Sequence, residues 1–323
     1  MVDAEAKGLE AEAGETPEAG PLPLWRRRLI LVTGKGGVGK SAATAAIAAE
    51  NAARGRRTLA LEVDPRENLH QLFDVPPSGG EIVEVRQRLY LQNLKPADVV
   101  DWVVRKQVKV ELVVQRVLAS PVYHRFVEGA PGLKELAILG HALRLVRGDD
   151  SRHPQLDTVV LDAPATGHGL FLLTAPRLYA ETIGHGPFAE LAREVADFVA
   201  DPETCGVVIV TLAEEMPVQE ALELRQGLLE KTAAEPDLLV INGLYPPLPA
   251  EQPADLEADE KSMLDLWRRR REVNERELAH LEAAWEGPRV ELPLLPVDRG
   301  GLLLRSLSPR FAAAVREAEG EGA

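Results

Sequence analysis

A single cysteine, Cys205, stands in this chain of 323 residues. One thiol cannot make an intrachain disulfide, a CxxC zinc clamp or an iron–sulfur ligand set. The expected role of Cys205 is that of a small residue buried near a strand. Methionine is almost as scarce, at Met1, Met216 and Met263, so no soft, adaptable methionine surface is expected. There is no run of eighteen apolar residues, which argues against a membrane-spanning helix. The first twenty residues lack a cationic stretch followed by an apolar one and do not read as a signal peptide. Positive charge is also in deficit. The net charge is −14, the reverse of the basic footprint that duplex binding requires. Two local clusters, Arg26-Arg27-Arg28 and Arg268-Arg269-Arg270-Arg271, read as solvated faces. No internal repeat is visible. Together these features point to a soluble cytoplasmic protein with no nucleic-acid partner and no stable membrane insertion.

What is present is a phosphate-binding loop. Gly34-Lys35-Gly36-Gly37-Val38-Gly39-Lys40-Ser41 matches G-x-x-x-x-G-K-[ST]. The apolar run 28–33 precedes it as a strand, and the Ala-rich run 41–53 follows it as a helix. In that setting backbone N–H groups from Gly34 to Ala42 surround the phosphates of a nucleotide, with the helix N-terminus facing the negative charge. Lys40 is expected to reach the β- and γ-phosphates, and the Ser41 hydroxyl to bind Mg²⁺. ATP and Mg²⁺ are therefore the expected cofactors. Lys35 is surplus to a plain phosphate loop.

Further strand-like runs occur at 58–64, 158–162, 206–211 and 237–242, with a shorter, Pro-broken edge candidate at 289–294. Apolar strands alternating with helices read as α/β, a mostly parallel doubly wound sheet. Functional residues then belong at the carboxyl ends of strands. Asp64-Pro65 ends the second run, where the carboxylate can orient an attacking water or take its proton. Asp162 ends the third, where it is placed to hold Mg²⁺ directly or through water. After it, Ala163 to Gly169 is a Pro- and Gly-punctuated loop able to rearrange. Residues 74–155, between the second and third runs, read as a helical insert with helices at 97–118 and 132–146. The expected layout is an acidic disordered tail at 1–24, one ATPase domain at 25–312 that includes the insert, and an acidic tail at 313–323.

GKGGVGKS resembles the deviant phosphate loop of dimeric ATPases that include the arsenite-pump, tail-anchored-protein-targeting, Min, Par and iron–sulfur-carrier ATPases. The resemblance implies that Lys35 crosses a dimer interface to the partner's nucleotide. Asp162 to His168 is similar to switch II of the arsenite-pump and targeting members, where D-T-A-P-T-G-H is typical; Asp162, Thr166, Gly167 and His168 match it. Asp64-Pro65, continued by Asn68-Leu69, is similar to switch I, with Arg66-Glu67 in place of the usual Ala-His. The segment 211–219, with Glu214, Glu215 and Pro217, resembles the stretch after the family's next strand. Asn242 is similar to the family asparagine that reads adenine, and 292–296 resembles its late P-L-L-P segment. The likeness runs from about residue 29 to 310. It implies a Mg-dependent ATPase acting as a homodimer, or as a heterodimer with a paralogue. In such a dimer, catalysis by Lys40, Asp64 and Lys35 moves helical inserts against a client protein, membrane-associated clients included. A slow-turnover, ATP-regulated binding module and a Min/Par-like positioning ATPase are the alternatives.

Overall fold

The computed structural model describes residues 24–64, 68–107, 110–149, 153, 155–164, 169–248, 257–297 and 300–318. Eight strands form one sheet: β1 (Leu29–Thr33), β2 (Thr58–Glu62), β3 (Val83–Arg86), β4 (Leu89–Asn93), β5 (Thr158–Asp162), β6 (Cys205–Leu212), β7 (Leu238–Leu244) and β8 (Arg289–Pro293). Their spatial order is β3-β4-β2-β5-β1-β6-β7-β8. Among the described strands only β3 runs antiparallel to its neighbour. The α/β, mostly parallel architecture expected from the alternation is the one observed. β1, β2 and β5 are buried at every position, because helices cover both faces.

Alternate strand residues feed two cores. Ile30, Val32, Ala60, Val160, Val208 and Val240 pack with α1 (Lys40–Ala53), α2 (Asn68–Phe73) and the last helix, Gly300–Ala318. Leu29, Leu31, Leu59, Leu61, Leu161 and Ile209 face the opposite layer. That layer includes α3 (Pro96–Gln107), α5 (Pro121–Gly129), α6 (Leu133–Arg147), α7 (Gly169–Thr182), α8 (Pro187–Ala200) and α9 (Glu215–Thr232). α4 (Glu111–Leu118) completes the insert, α10 (Ala258–Ala284) lies beside α9, and the last helix is α11. None of the described helices is long and apolar enough to cross a membrane.

Four expectations need adjustment. The region 74–155 is not wholly a helical insert, since it opens with the β3–β4 hairpin, whose second strand pairs parallel with β2. Its turn is Gln87-Arg88, with Arg88 at φ 63°, and it lacks the Asn-Gly or Asp-Gly signal that marks such turns. The helix expected at 97–118 is two helices, α3 and α4, and Val110 before α4 is extended. Residues 313–318 belong to α11, where Val315 is buried. Arg27 is no solvated residue: it is 3% exposed and its guanidinium pairs with Asp237 at 2.8 Å, tying the start of β1 to that of β7. A charge this deeply buried must be paired. Leu24 and Trp25 begin the described chain as buried residues of a single 3-10 turn. Residues 1–23 and 319–323 lie outside the described residues.

Candidate nucleotide and magnesium site

The loop between β1 and α1 is shaped by three glycines. Gly34, Gly37 and Gly39 have φ of 145°, 87° and 95°, conformations that L side chains rarely adopt. Two of them are also held by close neighbours. A Cβ on Gly34 would lie 2.1 Å from the Val210 carbonyl oxygen, and one on Gly39 would lie 2.2 Å from Asn242 Nδ2. Gly39 caps α1 with no side-chain hydrogen bond, so the first N–H groups of the helix keep their capacity for an anion.

Lys40, 7% exposed, donates from Nζ across the loop to the Lys35 carbonyl at 2.8 Å. Burial lowers its pKa, against the opposing pull of Asp162 and Asp64. The Ser41 hydroxyl donates to Asp162 Oδ2 at 2.5 Å. Burial pushes the Asp162 carboxyl up to about 6; Ser41 and Lys40 pull it down and Asp64 adds to the rise. Its other oxygen, Oδ1, is buried without a hydrogen bond of good geometry. A hydroxyl and a carboxylate, one oxygen of it unsatisfied, form an all-oxygen set that fits Mg²⁺, which takes one or two carboxylates and completes its shell with phosphate and water. No group of three or more His, Cys, Asp or Glu side chains placed to hold a metal ion occurs among the described residues.

Asp64 comes to the same end of the sheet. Asn68 Nδ2 donates to its Oδ2 at 3.3 Å, and Asn93 Nδ2 donates to its main-chain oxygen at 2.8 Å. β2 and β5 are in register with Glu62 opposite Asp162, so the two carboxylate-bearing strand ends are adjacent. Lys35 lies apart from this group. Its Nζ pairs with Glu220 of α9 at 2.7 Å, with side chains 36% and 39% exposed. Asn242 Nδ2 donates to the Val38 carbonyl at 2.9 Å, so it braces the phosphate loop. Pro65, Thr166, Gly167 and His168, with Arg66 and Glu67, lie outside the described residues. Gly169 begins α7 so close to β1 that an added Cβ would meet Thr33 Oγ1 at 1.9 Å.

Sequence reasoning missed Glu62. It is fully buried, and burial pushes its carboxyl up to about 8, with the Leu69 N–H opposing and Asp162 and Asp64 adding to the rise. The available signal was a Glu inside the apolar run Leu59-Ala60-Leu61-Glu62-Val63. Also missed was Asn274, buried in the middle of a highly charged helix. It accepts from the Tyr245 N–H and donates to the Ala213 carbonyl, both at 2.9 Å, joining the carboxyl ends of β7 and β6. Arg271 and Arg270 add contacts to the Tyr245 carbonyl and to Glu214, so this arginine cluster is partly a strap. A separate cavity of about 1330 Å³ is lined by residues such as Leu24, Leu173, Cys205 and Asp237. Leu24, Cys205 and Asp237 mark the other end of the sheet, away from these carboxylates.

Residues 27–186 match the model of the anion-transporting ATPase family. The ATPase BagA of Mycobacterium tuberculosis is 32% identical over 222 residues, covering 63% of this chain and 61% of that protein. An arsenical pump-driving ATPase of Escherichia coli is 26% identical over 306 residues, 88% of this chain and 50% of that protein. ATPase GET3C of Arabidopsis thaliana is 24% identical over 268 residues, 68% of each. The chain thus spans about three fifths of the mycobacterial relative and half of the pump-driving one.

Proposed function

The chain belongs to the anion-transporting ATPase family, and we propose that it is a Mg-dependent ATPase acting in the cytoplasm as a dimer. One observation carries this reading. Lys40, Ser41, Asp162 and Asp64 converge around one glycine loop at the carboxyl ends of β1, β5 and β2. The uncapped start of α1 and Lys40 bind the phosphates; Lys40 leaves the Lys35 carbonyl to do so. Ser41 and Asp162 would hold Mg²⁺, which would supply charge neutralisation at the phosphates. Asp64 orients a water and accepts its proton. Asn242 braces the loop on the base side. Lys35, whose side chain is itself partly exposed, reaches the partner's nucleotide, and Thr166, Gly167 and His168 carry the change to the helical inserts and their client.

The chemistry of the client is constrained by Cys205. Its thiol is buried, and burial pushes it up to about 12. It offers no thiolate for a soft metalloid, so direct arsenite handling is not the proposed role. One observation favours the slow-turnover, ATP-regulated module as a second reading: Lys35 is engaged within its own chain by Glu220. Turnover measured with and without added partner separates the two.

The test of the site is a nucleotide titration joined to single-turnover kinetics. Lys40→Ala is expected to lose tight ATP binding. Asp64→Asn is expected to keep binding and slow hydrolysis by about 10²–10⁴-fold, the usual range for a positioned base. Near-normal affinity in the first variant overturns the loop assignment; an unchanged rate in the second overturns the role of Asp64.

A further inference from the structure

Four buried polar residues surround the end of β2, and none is used by the chemistry above. Glu62 is fully buried, His70 is 2% exposed, Asn93 8% and Ser78 9%. They are linked in series. Glu62 Oε2 accepts the Leu69 N–H at 3.1 Å, and its Oε1 stands 3.4 Å from His70 Nδ1, a close contact without a hydrogen bond of good geometry between those two atoms. On the other side of that ring, Nε2 accepts the Ser78 N–H. This bond leaves the ring proton on Nδ1, facing Glu62. Ser78 Oγ in turn accepts the Asn93 N–H at 3.1 Å and the Gly80 N–H at 3.3 Å. Asn93 then returns to β2, its side-chain amide donating to the Asp64 carbonyl at 2.8 Å. The series starts two residues before the end of the chain segment it encloses and closes on Asp64 itself.

The end of an internal strand such as β2 does not need such a circuit for stability. Each buried polar group costs about 1–3 kcal/mol when its partner is missing, whereas apolar groups of the same shape are nearly neutral. Apolar packing would close the same space at less risk. What the polar series adds is directional control of one main-chain carbonyl, that of Asp64. We propose that Glu62, His70, Ser78 and Asn93 form a positioning frame that fixes the Asp64 backbone, so that its carboxylate meets the attacking water in one geometry. The proposal rests on the ATPase reading given above. The four are positioning residues; they touch no reacting atom.

Asn93→Asp keeps the shape and removes the donor to Asp64. Ser78→Ala removes the hydroxyl that receives the Asn93 N–H, and Ser78→Thr restores it. Two measurements follow. The first is amide hydrogen exchange of the chain without nucleotide. Peptides over 59–70 are expected to exchange about 5–10-fold faster in Asn93→Asp and Ser78→Ala, the effect of one net hydrogen bond, with peptides over 29–53 unchanged. The second is single-turnover hydrolysis per bound ATP. A drop of about 10–10²-fold is expected, the scale of a roughly 1 Å misplacement, with ATP affinity within about threefold and the rate recovered by Ser78→Thr. Unchanged exchange at 59–70, or exchange raised equally along the whole chain, overturns the frame. So does a normal rate, or a fall in rate matched by a fall in affinity. If Asn93→Asp does not fold, the Ser78 pair decides alone. A wild-type chain that binds no ATP overturns the functional reading instead, and the exchange measurement still judges the frame.

Discussion

Glu62 is the residue whose surroundings are least kind to its charge. It is sealed inside the sheet, with Asp162 and Asp64 adding negative potential, and its carboxyl is pushed up to about 8. In the unfolded chain the same group sits in the ordinary carboxylate range, about 4.3. The folded state therefore holds the proton more tightly, and folding is favoured by it at low pH. That contribution is full below the unfolded pKa, declines as pH rises, and is gone above about 8. Glu62→Gln removes the titration while keeping an acceptor for the Leu69 N–H. The stability of wild type relative to this variant is expected to fall between pH 5 and pH 8, read as denaturation midpoints at three pH values. A constant difference across that window would show that Glu62 stays in one protonation state. At Asn242 the same scale of reasoning changes emphasis. Resemblance casts it as a base reader, but one of its two amide N–H groups is committed to the Val38 carbonyl, which leaves the second N–H and the oxygen for a nucleotide.

At the scale of elements, legibility follows burial. β1, β5 and the cores of β6 and β7 are central strands, apolar on both faces, and appear in the sequence as Val/Leu/Ile runs; β2, equally buried, reads Thr-Leu-Ala-Leu-Glu. β8, recognised from its Pro-broken run, does lie at the sheet edge. The phosphate loop was legible because its glycines are demanded by geometry, as the close approaches at Gly34 and Gly39 show. The β3–β4 hairpin was not. β3 alternates half-buried and exposed residues and contains Glu84 and Arg86, and its turn carries no glycine or asparagine. The division between α3 and α4 was hidden for a related reason: one apolar period runs through 97–118, yet only part of it finds a core. Val99, Val100, Val103 and Val114 are buried, while Val110, Leu112 and Val113 are exposed. Periodicity tells which residues share a face, and says nothing of whether the rest of the chain covers it. The same limit hid the partners of Lys35 and Asn274. Glu220 lies 185 positions from Lys35, and Tyr245 and Ala213 come from two different strand ends. Contacts of that kind are created by the fold.

For the whole molecule the decisive matter is whether the site is complete in one chain. Lys40, Ser41, Asp162 and Asp64 all lie within it, but Lys35 points away to Glu220. That pair is about one third exposed on each side, and exposed ion pairs contribute about 0–1 kcal/mol. Releasing Lys35 to a partner would therefore cost little against a gain of the arginine-finger kind, which reaches ~10³-fold or more in rate, about 4 kcal/mol at ~1.4 kcal/mol per tenfold. Lys35→Ala is expected to bind ATP and hydrolyse it poorly. Mixing gives the sharper result. A Lys35→Ala subunit keeps its own Lys40 and Asp64; a Lys40→Ala subunit cannot hold ATP but still offers Lys35. Each alone should be nearly inactive, and the mixture should recover turnover at one site per mixed dimer. Differently tagged chains establish first that subunits exchange. If mixed dimers form and turnover stays at the level of the separate variants, Lys35 does not act across an interface, and its role is confined to the ion pair with Glu220 in its own chain.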